Sequence, residues 1–251
     1  KKPINDEDYA YVSQLLQAKG IIMGIEAHRR AKPYNMGTLF WQLNDCWPAI
    51  SWSSIDYFGN WKALQYKAKK AFENVLISSI IKNDSVKTFI INDTFTNLRG
   101  NLNLKVIDFY GKEIGSDSKE INVSENSSQQ FYSFSLKNID KKNTFLLAEF
   151  NGEKSHFFFE SPKNLNLPKG EILQEISKTE NGFSISLTST VLQKDVFLYI
   201  KEKGFFSDNF FDILPNTTKT VHFNSQSKDI NNLTIKSLQS IKKQQKSLLH
   251  N

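Results

Sequence analysis

Apolar side chains recur at helical spacing from Asp8 to Arg30, at Val12, Leu15, Leu16, Ile22, Met23 and Ile25. The acidic entry Asn5-Asp6-Glu7-Asp8 and the basic exit His28-Arg29-Arg30 complement the dipole of such a helix. Gly20 and Gly24 weaken its middle, which predicts a break or a close packing contact there. Next comes Gly37-Thr38-Leu39-Phe40-Trp41-Gln42-Leu43, a short and nearly continuous apolar run. That is the pattern of a strand buried on both faces, as in a parallel sheet. Trp61, Leu64, Ala68, Ala71 and Phe72 then mark a second amphipathic helix, with Asn60 as its N-cap. A buried strand between two helices belongs to an α/β layer, and these elements are too few to close one. Residues 1–74 are therefore expected to be part of a layer whose remainder lies upstream.

Beyond residue 74 the period changes. Short apolar runs at 75–81, 86–92, 102–109, 119–123, 130–136, 144–150 and 155–160 read as strands. Phe131, Ser133 and Ser135 against Tyr132, Phe134 and Leu136 alternate with period two, and Asn151-Gly152 between two runs signals a hairpin. This spacing predicts an immunoglobulin-like sandwich over 75–162. Ser161-Pro162-Lys163-Asn164-Leu165-Asn166-Leu167-Pro168 reads as a linker, because its prolines resist helix and central strand alike. Further runs at 172–177, 183–189, 196–201, 210–213, 219–223 and 233–238 predict a second, smaller sandwich over 163–251, ending in the basic tail Lys242–Lys246.

Composition narrows the chemistry. Of 251 residues, 39% are hydrophobic and 23% charged, which excludes general disorder. No apolar stretch is long enough for a membrane span. The single cysteine, Cys46, excludes a disulfide framework or a cysteine-built metal site, and reads as a small buried filler. His28, His156, His222 and His250 lack metal-ligand spacing, so neither metal nor cofactor is expected. A net charge of +6, spread along the chain, gives no reason to expect a nucleic-acid partner. The chain begins at Lys1 and reads as a piece of something longer. All four tryptophans (Trp41, Trp47, Trp52, Trp61) lie in the first 61 residues, so candidate chemistry concentrates there.

The most informative segment is Met36-Gly37-Thr38-Leu39-Phe40-Trp41-Gln42-Leu43-Asn44-Asp45-Cys46-Trp47-Pro48. A strand that releases a Trp, two polar residues and a second Trp suits the apolar face of a sugar ring, with Asn44 and Asp45 either bonding hydroxyls or bracing the loop. The residues alone favour the plainer arrangement, in which Trp41 and Trp47 are core aromatics and Asp45 caps a turn, since aromatics dominate ordinary cores. His28, Arg29 and Arg30 read as dipole partners and solvated charges, and Trp52 and Trp61 as packing for the second helix and its loop. The Phe157-Phe158-Phe159 run reads as a strand between core and domain interface.

The stretch from Tyr11-Val12-Ser13-Gln14-Leu15-Leu16-Gln17-Ala18 through Glu26-Ala27-His28-Arg29-Arg30, Met36–Pro48 and Ser51-Trp52-Ser53-Ser54-Ile55-Asp56-Tyr57 to Gly59-Asn60-Trp61-Lys62-Ala63-Leu64 resembles the β-mannosidases of glycoside hydrolase family 2. Ser207-Asp208-Asn209-Phe210-Phe211-Asp212-Ile213-Leu214-Pro215 resembles a motif of that family's C-terminal immunoglobulin-like domain. The resemblance implies a multidomain chain. Residues 1–74 would be the last part of a catalytic (β/α)8 TIM barrel (helix 7, strand 8, helix 8), followed by two all-β immunoglobulin-like sandwiches. It implies a retaining exo-glycosidase that removes terminal β-linked mannose from oligosaccharides or glycans, using two carboxyl groups about 5–5.5 Å apart. Both catalytic glutamates would lie upstream of Lys1, leaving none in this chain; Glu7 and Glu26 take neither role. Trp41 would floor the sugar subsite, and Asn44, Asp45 and Trp47 would contact substrate or build its wall. The upstream part of the polypeptide would be the obligate partner, and the chain alone would be inactive.

Two alternatives accompany this reading: a carbohydrate-binding or interdomain sandwich module, and a family 2 β-galactosidase or β-glucuronidase. An Asn- and Lys-rich composition suggests a bacterial periplasmic or secreted protein. In a eukaryotic, lysosomal setting, triplets such as Asn92-Asp93-Thr94 and Asn216-Thr217-Thr218 would be glycosylation acceptors. For a barrel that is incomplete, proteolysis is expected to trim residues 1–74 faster than the sandwiches.

Overall fold

A computed structural model describes residues 3–241. Helix α1 (Asp6–Arg30) starts at Asn5, whose side chain accepts a 2.7 Å bond from the Asp8 amide. It runs unbroken through Gly20 and Gly24, and no atom lies within 4 Å of where a Cβ would stand at either. The expected break and close contact are both absent. Each glycine costs a helix about 1 kcal/mol, which tertiary packing on both sides of the pair outweighs. The buried face is Tyr11, Ala18 and Ile25, seven residues apart, whereas Leu16 and Met23 are exposed. Helix α2 (Ala63–Ala71) is preceded by Lys62 with no side-chain cap. Asn60, expected to cap it, instead bonds Asp56 through both its backbone and its side-chain amide.

The predicted strand at 37–43 does not form. These residues are irregular, with Leu39 90% and Leu43 57% exposed. A strand needs a neighbour to receive its N–H and C=O groups, and no described segment runs alongside it. Among the described residues, β-type pairing in this region is limited to two isolated bridges, Asn44–Ile55 and Ile55–Trp61.

The remainder is a pair of sandwiches. The first comprises β1 (Val75–Lys82), β2 (Ser85–Asn92), β3 (Leu98–Asp108), β4 (Glu113–Val123), β5 (Ser127–Ser135), β6 (Thr144–Phe150) and β7 (Glu153–Phe158). Its sheets have the orders β1-β2-β5 and β4-β3-β6-β7, with antiparallel pairing throughout. Val86, Ile90, Leu102, Leu146 and Phe150 fill the space between them. Asn151 and Gly152 both take positive φ, the geometry of the two-residue turn that closes β6 on β7.

Pro162 opens a 3₁₀ turn (Pro162–Asn164) in the connecting segment, a position that needs no proline N–H. Then follow β8 (Leu173–Thr179), β9 (Gly182–Ser189), β10 (Gln193–Tyr199), β11 (Phe205–Phe206), β12 (Phe211–Ile213), β13 (Thr217–Asn224) and β14 (Thr234–Lys236). They pair as β11-β13-β9-β8 and β12-β10-β14. The short β11 carries no alternation and is not legible in the sequence. The Lys242–Lys246 tail lies outside the described residues.

The helices do not form a body of their own. Tyr11, Ala18, Ala63, Leu64, Tyr66 and Ala68 share one apolar core with Phe183, Ile185, Phe210 and Val221 of the second sandwich. Aromatic rings stitch the contact: Tyr11 lies 6.2 Å from Phe210, and Trp61 4.8 Å edge-on to Phe205. A separate cluster of Phe109, Phe145 and Leu192 joins the two sandwiches, with Phe158 and linker residues Leu165 and Leu167 against it. Phe157 and Phe159 pack into the first sandwich, so the three-phenylalanine run divides between a core and an interface.

Candidate functional site

The segment between the helices is held from three sides by α1 and α2. His28 Nδ1 lies 2.8 Å from Thr38 Oγ1, and Gln17 donates to the Trp52 carbonyl at 2.6 Å. The Ala63 amide donates to Gln14 Oε1 at 3.1 Å, fixing the start of α2 on α1. Thr38 precedes Trp41 by three residues, so the approach to the aromatic segment is pinned to the last turn of α1.

Within the segment, residues 42–55 are cross-braced. Ile55 N donates to Leu43 O at 2.8 Å, Asp45 N to Ile55 O at 3.1 Å, and Lys62 N to Ser54 O at 2.9 Å. Ser54 Oγ sits 2.9 Å from Leu43 O and 2.7 Å from Gln65 Oε1. The Asp45 side chain is 4% exposed. Its carboxylate accepts from Ser51 Oγ at 2.5 Å and from Lys62 Nζ at 3.2 Å, and Lys62 also reaches Ser53 Oγ at 2.7 Å. The hydroxyl of Ser51, then Ser53 and Lys62, hold the Asp45 carboxyl below its ordinary range, so it stays an acceptor. Asn44 turns its amide onto the Asp45 carbonyl at 3.2 Å, and its own carbonyl accepts from Gln42.

On this braced frame the aromatics face outward. Trp41 is 74% and Trp47 67% exposed, and the Trp41–Gln42 peptide is cis. Neither ring lies against another aromatic ring among the described residues. The structure thus turns Asp45 inward as a brace, leaves Asn44 exposed beside it, and presents Trp41 and Trp47 as the open faces. Trp52, expected to pack the second helix, is exposed and contributes its carbonyl to Gln17. Trp61 does pack, between Tyr66 and Phe205. Cys46, expected to be buried, is exposed; its neighbour Asp45 takes the inward position instead.

Lys62, Ser51, Ser53 and Gln65 escaped the sequence reading. The cluster Ser51-Trp52-Ser53-Ser54 is the only signal that hydroxyls gather there, and nothing in spacing reveals the lysine that they meet.

The basic exit of α1 is a buried joint rather than a solvated end. Arg29 is 6% exposed; it donates to the carbonyls of Ala71 and Glu73 (the latter at 2.7 Å) and to Asp93 at 3.1 Å. Arg30 bonds Glu26 at 3.3 Å and Ser78, while Ser78 donates to Glu26 at 2.5 Å. Burial raises the Glu26 carboxyl above its ordinary range despite these partners. Glu26 is enclosed between α1 and β1, whereas Glu7 stands exposed in the first turn of α1. Glu7 shares Lys236 with Asp8, at 3.9 and 2.7 Å, in an ion pair at the start of α1. Among the described residues no three His, Cys, Asp or Glu side chains gather as metal ligands, and no helix is long and apolar enough to cross a membrane.

The Ser207–Pro215 motif braces the second sandwich. Asn209 donates to Leu198 O at 2.9 Å and accepts from Leu198 N at 2.8 Å. Asp208 pairs with Lys219 at 2.6 Å and Lys70 at 3.6 Å, the latter from α2.

Comparisons with known proteins follow the same layout. Residues 84–164 match the model of a mannosidase Ig/CBM-like domain, and residues 167–241 that of an Ig-fold domain of mannosidases. Beta-mannosidase A of Neosartorya fischeri is 25% identical over 250 residues, covering 88% of this chain and 27% of that protein. The beta-mannosidase of Capra hircus is 28% identical, covering 86% and 27% respectively. A crystal structure of β-D-mannosidase from Dictyoglomus thermophilum superposes with a TM-score of 0.84 at 28% identity, over 95% of this chain and 30% of that one. Amycolatopsis orientalis exo-chitosanase CsxA, at 17% identity and a TM-score of 0.68, shares the fold. The chain spans little more than a quarter of the length of the curated relatives that it matches. With two mannosidase-type Ig-like domains in tandem and similarity that continues through the helices ahead of them, the chain corresponds to the C-terminal portion of the glycoside hydrolase family 2 β-mannosidases.

Proposed function

We propose that this polypeptide serves as the C-terminal portion of a retaining exo-β-mannosidase acting on terminal β-D-mannose. Residues 1–74 supply helix 7, the segment at 37–43 that becomes strand 8 only when upstream strands lie beside it, and helix 8 of its (β/α)8 barrel, and 75–162 and 163–251 are its two Ig-like domains. The observation that carries the reading is the pair Trp41 and Trp47, 74% and 67% exposed, on a loop fixed by internal bonds. Exposed aromatics on an immobilised frame are what a sugar's apolar face requires, since little ordering remains for binding to impose. Trp41 floors the subsite and Trp47 walls it. For Asp45 the geometry supports bracing, because its carboxylate is turned inward onto Ser51 and Lys62; Asn44 is exposed and spends its side-chain N–H on the adjacent Asp45 carbonyl.

The exposed apolar surface supports the barrel assignment. Leu16, Met23, Leu39, Leu43, Ile50 and Phe58 crowd the first 58 residues, far beyond isolated surface apolars. The upstream barrel of the same polypeptide is the cover proposed for them. Both catalytic carboxylates are assigned to that upstream part. The test is hydrolysis of an aryl β-mannoside by this chain and by a polypeptide extended upstream through the whole barrel. The extended form should turn over and this chain should not. Turnover by this chain that is abolished by Glu7→Gln or Glu26→Gln would overturn the reading.

A further inference from the structure

We infer that Lys62 is a positioning residue for the loop that presents Trp41 and Trp47. The inference rests on the proposed sugar contact of those two rings, and deepens it by naming what holds them.

Lys62 immediately precedes α2, whose first two residues, Ala63 and Leu64, are fully buried in the core shared with the second sandwich. Its backbone is therefore immobile, and its amide already bonds Ser54 O. From that fixed point the ammonium reaches back along the chain to Asp45 at 3.2 Å and to Ser53 Oγ at 2.7 Å. The Lys62 side chain is 16% exposed and Asp45 4%, so the two charges pair away from bulk water, beside the Ser51 and Ser53 hydroxyls. Ser53 passes the constraint on by donating to Ile55 O at 2.9 Å, and Ile55 accepts the Asp45 amide. One cation thus joins three points of the loop to the most rigid element beside it.

A buried carboxylate that loses its cation must find water or another partner. Only the neutral hydroxyls of Ser51 and Ser53 then remain beside Asp45, with no positive charge among them, so removing the ammonium draws Asp45 outward. Trp47 lies two residues beyond Asp45 and Trp41 four before it, so both rings must move with the loop. Lys62 touches no substrate in this account; it acts through Asp45.

Two readouts test it. Indole N–H resonances of Trp41 and Trp47 in this chain report ring environment without any reference to catalysis. Hydrolysis of an aryl β-mannoside by the polypeptide with its complete barrel reports the consequence. Lys62→Met should shift both indole resonances and lower kcat/KM by about 10- to 100-fold, the scale set by a misplacement near 1 Å. Lys62→Arg, which keeps the cation, should restore both. Unmoved indoles would overturn the inference whatever the kinetics. Moved indoles with unchanged kcat/KM would also overturn it, provided that Trp41→Ala remains defective. If Trp41→Ala is itself unimpaired, the sugar contact is what has failed, and the inference falls with it. Should Lys62→Met not accumulate as folded protein, Ser53→Ala deletes the relay hydroxyl without removing a charge and is judged by the same criteria.

Discussion

The Tyr11 hydroxyl donates a 2.6 Å bond to the backbone carbonyl of Asp195, tying the first turns of α1 to a strand of the second sandwich 184 residues away. Burial, and then the carboxylates of Asp195, Asp212 and Asp8, push the phenol far above its usual range, so it stays a donor at any working pH. Tyr11→Phe leaves that buried carbonyl without its partner and should cost about 1–3 kcal/mol. Tyr11→Ala also removes a ring packed against the stacked pair Phe197 and Phe210, and should cost about 3–5 kcal/mol. Denaturant unfolding of the two variants checks the order, and equal losses would show that the hydroxyl is idle.

The shared core alters what proteolysis should find. The sequence suggested that residues 1–74 are trimmed faster than the sandwiches. Both helices, however, bury their faces against the second sandwich, and only the stretch between them lacks regular structure and cover. Early cuts should therefore fall between residues 35 and 58, leaving α1 and α2 attached to the sandwich. Mass spectrometry of the first fragments decides the matter; loss of α1 before any cut in that stretch would argue against a common core.

Arg29 joins α1, the end of α2 and the first sandwich in one side chain. It serves two carbonyls and Asp93, while Lys32 holds the same Asp93 at 2.6 Å and Asn126 at 2.9 Å. Its Nε is buried with no partner, so the joint is not fully satisfied. Arg29→Met strands both carbonyls and should cost about 2–5 kcal/mol. Asp93→Asn keeps a hydrogen-bonding group beside a half-exposed ion pair and should cost about 1 kcal/mol or less. Calorimetry of Arg29→Met should show the first sandwich melting apart from the rest, and a single transition equal to that of the unaltered chain would rule out the joint.

Much of this architecture is legible in the residues, and the exceptions share a cause. Strands with a sheet partner inside the chain, such as β6 with its Asn151-Gly152 turn, declare themselves through alternation and turn chemistry. The run 37–43 has the composition of a buried strand, but without a neighbour to complete its hydrogen bonds the pattern cannot be realised. Composition reports what a segment is suited to, and pairing depends on what lies beside it. Arg29 and Arg30 look like helix-end charges because sequence shows their position on α1 and hides Ala71, Ser78 and Asp93. In the candidate site, Trp41 and Trp47 stand out as residue types, whereas the Asp45–Lys62 pair joins positions whose proximity only folding creates.

Trp41 makes no side-chain hydrogen bond among the described residues and is largely exposed, so its removal should cost folding little. In the polypeptide with a complete barrel, Trp41→Ala should lower kcat/KM for an aryl β-mannoside by about tenfold or more, the usual scale for a lost aromatic anchor. The melting temperature of this chain should move by no more than a surface substitution does. The opposite pattern, a lower melting temperature with unchanged kinetics, would return Trp41 to the core.

An ionic cluster lies between the sandwiches. Lys194 Nζ lies 3.3 Å from Asp212 and 3.1 Å from Asp195, and 4.2 Å from the centre of the Phe158 ring of the first sandwich. His156 of β7 approaches Asp212 at 3.7 Å, and Lys67 of α2 pairs with Asp195 at 3.0 Å. Burial would push Asp212 upward, but Lys194 and then His156 and Lys67 outweigh it and hold the carboxyl well below its usual range. Burial likewise opposes the Lys194 charge, and Asp195 and Asp212 outweigh it, raising the ammonium above its usual range. A carboxylate depressed on folding contributes stability above its unfolded value, about 3.9, and loses it as pH falls through the folded value. A lysine raised on folding contributes fully below about 10.4 and loses its share only as pH climbs through its folded value. The cluster should thus be insensitive to pH between about 5 and 10 and weaken in stronger acid. Asp212→Asn leaves Lys194 short of one buried partner and should cost about 3 kcal/mol near neutrality. Because the unaltered protein loses the same interaction in acid, the gap between the two should narrow below about pH 4. Unfolding free energies of both proteins from pH 3 to 8 measure that gap, and a constant difference across the range would show that Asp212 acts through packing instead of charge.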